Sequence, residues 1–124
     1  MKTIELNRKG WETFCDRVNH AGRETMVTVQ HIESNGVTET VVKDMLLREL
    51  VLDQTSDPCN DNLVIKAGLE KPVQHVVIEP IHLRLKNGHN DRFHHLHVLA
   101  ESGTTIVEFR PGLTPALLDG LDRS

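Results

Sequence analysis

Aromatic residues are scarce in this chain of 124 residues, which has one Trp, three Phe and no Tyr. The core is therefore left to Val, Leu and Ile, and the stacking platforms on which single-stranded nucleic acids are read are missing. Basic charge is not in excess either. The formal net charge is −4 at pH 7, whereas nucleic-acid and anionic-membrane binders need a basic footprint. No apolar run approaches the roughly 20 residues of a membrane-spanning helix, and Met1-Lys2-Thr3-Ile4-Glu5 lacks the apolar stretch of a secretory leader. Cys15 and Cys59 stand at no zinc or redox spacing. Together these absences predict a cytoplasmic protein with reduced thiols, no membrane partner and no general affinity for nucleic acid. The length suits one domain over residues 1–124, built on a single aliphatic core.

What is present begins with a helix. Asn7 can cap it, and Trp11, Phe14, Cys15 and Val18 repeat at the spacing of one apolar stripe, with Gly22 as a stop. Cys15 lies on that stripe and reads as an inert buried thiol. Beyond it the apolar period falls to two. Thr25 to Ile32 reads as a strand, and Asn35-Gly36 as a hairpin turn. A second strand starts near Val37 and runs, bent, toward Leu52; its end at Val51-Leu52-Asp53 favours strand over helix for Met45 to Leu52. After a turn-rich loop over Gln54 to Asp61 come Leu63 to Lys66, closed by Gly68, then Val73 to Glu79 and Ile81 to Lys86. Pro80 separates the last two and marks a bulge or an edge, since it cannot donate to a ladder. Asn87-Gly88 and Ser102-Gly103 turn the chain around the strands Phe93 to Ala100 and Thr104 to Arg110. Thr114, Pro115 and Gly120 frame a short closing helix.

Hairpin-length connections exclude a parallel sheet with crossover helices. The reading is α+β: a mainly antiparallel sheet of five or six strands curled into a small SH3- or Sm-like barrel, with an N-terminal helix and a short C-terminal helix.

Three of the eight histidines fall in His94-His95-Leu96-His97. The turn positions set a register in which Lys86 faces Phe93 and Glu101 faces Thr104. Period two then places Leu96, Val98, Ala100, Thr105, Val107 and Phe109 on the core side. The opposite face carries two rows, His82–His97–Glu108 and Arg84–His95–Arg110. Two imidazoles and a carboxylate with open positions suit a divalent metal such as iron, zinc or nickel. The second row suits an anion. The third reading of this face is an ordinary solvated one, in which His97 pairs with Glu108. The spacing His95-x-His97-x-x-x-Glu101 touches the first cupin metal motif, but no histidine follows to supply the second. His75 alternates with apolar neighbours and reads as a hydrogen-bonded structural histidine. Asp53, Asp57 and Asp61 lack the spacing of a calcium loop. No P-loop, dinucleotide fingerprint or nucleophile elbow is present.

Several segments are similar to a known family. They are the helix with Trp11-x-x-Phe14-x-Asp16, the strands Val27-Thr28-Val29 and Asp61-Asn62-Leu63-Val64-Ile65, the segment Leu47-Arg48-Glu49-Leu50, His75-x-x-x-Glu79-Pro80, and Ser102-Gly103-Thr104-Thr105-Ile106-Val107-Glu108-Phe109-Arg110-Pro111. Together they resemble a small family of bacterial domains of unknown function. The resemblance implies a bacterial, stand-alone, β-rich protein and supplies no activity, cofactor or catalytic residue.

No catalytic constellation stands out in the sequence. The leading expectation is a non-enzymatic binding or interaction module with a protein partner or self-association, the Pro80 region being one candidate edge. A metal-binding protein or metal-dependent enzyme using His82, His97 and Glu108 is the alternative, and an Sm-like RNA-binding module the second.

Overall fold

The computed structural model describes residues 3–21, 25–53, 62–87 and 92–121. In chain order the elements are β1 (Thr3–Leu6), a 3-10 turn (Arg8–Gly10), α1 (Trp11–Ala21), β2 (Met26–Glu33), β3 (Thr38–Asp53), β4 (Asn62–Ala67), β5 (Val73–Ile78), β6 (His82–Asn87), β7 (Phe93–Ala100), β8 (Gly103–Leu113) and a closing 3-10 turn (Pro115–Leu118). The strands form one sheet in the order β1-β6-β7-β8-β2-β3-β4-β5, and every pairing is antiparallel.

The class is α+β, but the sheet has eight strands rather than five or six and is not closed into an SH3- or Sm-like barrel. Two sequence features account for the difference. Thr3-Ile4-Glu5-Leu6 adds a strand, because Ile4 and Leu6 alternate into the core while Glu5 points outward. Pro80 then ends β5, with Glu79 in the left-handed region at φ 50°, so β5 and β6 part company. β6 pairs with β1 and β7, whereas β5 pairs with β4 at the other end of the sheet. The predicted helix stop at Gly22, the loop 54–61 and the turn at Gly88 lie outside the described residues.

β3 gives the sheet its curvature. Its first part pairs with β2 and its last part with β4. Within the part paired with β2, Asp44 takes φ 50° and the β2–β3 register shifts, which bends the strand as its sequence predicts. The bend brings Leu47, Leu50, Leu63, Ile65 and Val77 into the same core as Val27, Val29, Leu96, Val98, Val107 and Phe109.

α1 closes one end of this core with Trp11, Phe14, Cys15 and Val18, all buried. Burying side chains of this size is worth about 1.5–3 kcal/mol each. Asn7 Oδ1 accepts from the Lys9 amide at 3.1 Å and so caps the 3-10 turn that leads into α1 rather than α1 itself, and Trp11 Nε1 donates to the Leu6 carbonyl at 3.1 Å. Asn19 docks the helix on β3: its amide donates to the Leu50 carbonyl at 2.8 Å and accepts from the Leu50 amide at 2.7 Å. That side chain substitutes for a neighbouring strand along the part of β3 that β2 has left. Burial pushes the Cys15 thiol up to about 12, with Asp16 and Glu12 adding to it, so Cys15 is packing material rather than a nucleophile.

Candidate functional site

The histidine face forms on the outer side of β6, β7 and β8, but with a different register from the one the turns predict. The central turn residues are Glu101 and Ser102, and Gly103 is already in β8, paired with Ala100. Gly103 is needed there on two counts: its φ of 142° favours glycine, and a Cβ on it would lie 2.2 Å from the Ile32 carbonyl oxygen of β2. The β7–β8 register is therefore displaced by two residues. On the other side Lys86 faces His95 rather than Phe93.

A displacement of two leaves the side chains from His95 to Ala100 and from Thr104 to Arg110 on their predicted faces; Phe93 differs, turned into the core by a register break between Phe93 and His95. Leu96, Val98, Thr105, Val107 and Phe109 are buried, with Ala100 packed against them. It does rearrange both rows. His82 faces Leu99, His97 faces Arg84 and Ile106, and Glu108 faces His95 and Thr28. The row His82–His97–Glu108 is thus not formed, and among the described residues no three of His, Cys, Asp and Glu converge as a metal ion requires. The row Arg84–His95–Arg110 is not formed either, since Arg110 faces Met26 across the sheet.

Carboxylates organise this face instead. Glu5 of β1 accepts from His82 Nδ1 and from Arg84 Nε, both at 2.9 Å. The Arg84 guanidinium and then the His82 imidazole hold the Glu5 carboxyl below the usual carboxylate range. Glu108 lies 3.4 Å from His95 Nε2 and 3.5 Å from Arg110 Nε, and Arg110 also pairs with Asp44. His97, half-buried between these clusters, is pushed down from the ordinary imidazole value by burial and then by Lys86, His95 and Arg84. Lys86, His95, His97 and Glu108 share a depression of about 370 Å³ with Thr28 and Gln30.

A second histidine pair sits on the inner side. His31 Nδ1 and His75 Nε2 meet the same buried hydroxyl, Thr105 Oγ1, at 3.0 and 3.2 Å, and their ring centroids are 5.5 Å apart. His75 is thus the hydrogen-bonded histidine that its apolar neighbours predict. A hydroxyl donates once; with Thr105 donating to one ring and accepting from the other, the rings, met at Nδ1 of His31 and Nε2 of His75, carry the same tautomer. His75 is pushed below the ordinary value by burial and then by His31, with Glu39 opposing. Both rings line a cavity of about 660 Å³ that opens beside β5, walled by Val76, Ile78, Pro80 and Ile81. Ile78 and Ile81 are 64% and 57% exposed, and β5 has no strand neighbour on this side among the described residues.

Sequence reasoning did not single out Glu5, Asp44 or the pairing of His31 with His75. The alternation of Ile4 with Leu6 signals the strand that presents Glu5. The alternation Val27, Val29, His31 puts His31 on the core face. Nothing local identifies their partners, which lie on other strands.

The fold and site thus define a small α+β protein with an open, eight-stranded antiparallel sheet and two differently partnered histidine clusters. The model of DUF5335, a family of unknown function, matches residues 2–116, and the chain belongs to that family. No curated protein matches the chain, and no solved structure does.

Proposed function

We propose that the protein is a non-enzymatic, cytoplasmic interaction module that self-associates through the free edge of β5. The observation that carries this reading is the contrast between the two edges of the sheet. β1 is four residues long and presents Glu5, both of which discourage further strand addition. β5 is six residues long, Val-Gln-His-Val-Val-Ile, with no charged residue and no proline inside it, and Val76, Ile78 and the adjacent Ile81 are exposed.

A second copy is the occupant that suits this edge. Antiparallel self-pairing of an uncharged strand opposes no like charges, and a register centred on Val76 places that residue on the twofold axis. A contact of this size supports a concentration-dependent dimer rather than an obligate one. Sedimentation velocity over a wide concentration range tests it. The expected result is a monomer–dimer equilibrium for the natural chain and a monomer for Val76→Lys, which sets two ammonium groups against each other at the axis. A natural chain that stays monomeric throughout, or a dimer indifferent to Val76→Lys, overturns the reading.

A further inference from the structure

On the outer face of β6, β7 and β8, most charges have a local partner. Arg84 is held by Glu5, Arg110 by Asp44 and Glu108, and His95 by Glu108. Two groups differ. Among the described residues, neither the Lys86 ammonium nor the His97 ring has a hydrogen bond or an ion pair. His97 meets the His95 ring edge-on at 6.4 Å. Lys86 is directly opposite His95 in the ladder and His97 is two residues further along β7, so all three project from one small area. They line the depression of about 370 Å³ whose remaining polar wall is Gln30, Thr28 and Glu108.

We propose that this depression binds a small oxyanion, a phosphate or a carboxylate, between Lys86 and His97. An ammonium offers three donors, a protonated imidazole two, and the Gln30 amide two more, and charge-assisted bonds of this kind are the strong ones. Glu108 carries the same charge as the ligand, but His95 and Arg110 already engage it at 3.4 and 3.5 Å. The other charged groups facing the site are Arg84 beside Lys86 on β6, Glu5 on β1 and Asp44 on β3, and the last two are committed to arginines.

The local field points the same way. Burial comes first among the causes that discourage a proton on His97, but Lys86, His95 and Arg84 all contribute. A potential that repels a proton attracts an anion. The coupling is reciprocal: a bound oxyanion raises the His97 pKa, and binding tightens as pH falls through the imidazole range. This site does not involve β5 and does not rest on self-association.

The test follows the ring protons of His97 by NMR in the full chain, titrated with inorganic phosphate, with acetate, and with sodium chloride at matched ionic strength. The expected result is a saturable shift at His97 and an upward move of its pKa with phosphate or acetate but not with chloride. Saturation by one of the two alone assigns the site to that oxyanion. Lys86→Gln should weaken binding roughly tenfold, Lys86→Arg should retain it, and His97→Gln should remove its pH dependence. No saturable shift beyond the chloride control overturns the proposal, as does an affinity unchanged in Lys86→Gln.

Discussion

The two histidine clusters are made of the same residue type and behave in opposite ways. On the outer face His82 and His95, their side chains 39% and 40% exposed, are tied to the carboxylates Glu5 and Glu108. On the inner face His31 and His75 share one buried hydroxyl, with burial lowering the His75 pKa. The outer histidines are adjuncts of an ion-pair lattice that water screens. The inner pair takes the place of packing where β5 folds over β8. The lesson is that the density of a residue type along the chain does not rank its structural weight. The conspicuous cluster is expected to contribute less to stability than the inner pair.

Thr105→Val should have the largest effect of the changes that separate the clusters. It keeps the shape of the side chain but leaves a ring nitrogen on each of His31 and His75 without its partner, at a cost of about 1–3 kcal/mol. Chemical denaturation at neutral pH measures it, and an unchanged midpoint would mean that the inner pair has no special weight. His75→Gln should come next, as a change of slope with pH. The folded pKa of His75 lies below its unfolded value, so the folded state binds fewer protons and stability falls as pH drops through about 6.5. The midpoint of the natural chain should decline between about pH 7.5 and 5, and that of His75→Gln should decline less. His97, shifted in the same direction, keeps part of the slope in the variant. Glu5→Gln should have the smallest effect. The carboxyl of Glu5 is held below its usual range, so its contribution is present above the unfolded value and is lost as pH falls through the folded one. The variant should melt slightly lower at neutral pH and low salt, and the difference should close at high salt, as screening of an exposed cluster requires.

Much of this architecture is legible along the chain. The stripe Trp11, Phe14, Cys15, Val18 locates α1, and period two assigns the faces of β7 from His95 onward and of β8 as far as Arg110, missing only Phe93, which a register break turns into the core. The bend of β3 follows from a strand pattern too long for a straight strand. What fails is the lateral alignment. Gly103 looks like a turn residue, and its positive φ together with the approach of the Ile32 carbonyl explains why a glycine stands there as a strand residue. That misreading moves Glu108 out of line with His97, and a separate two-residue difference between β6 and β7 moves His82 away from it, without moving any of them to the other face. The inner pair was beyond reach for another reason. His31 and His75 meet Thr105 across separations of 74 and 30 residues, and such meetings depend on the curvature of the whole sheet rather than on local pattern.

β3 hands its backbone hydrogen bonds from β2 to β4 partway along its length. One segment is thereby clamped at both ends to different neighbours. β5 has a backbone ladder with β4 alone, supplemented by the hydrogen bond of His75 to Thr105, whereas β3 lies between two strands and is anchored additionally by Asn19. Fluctuations at this edge should therefore begin at β5 and stop at β3. The strand best suited to meet another chain is also the one the molecule releases most readily, so association and local unfolding compete for the same six residues.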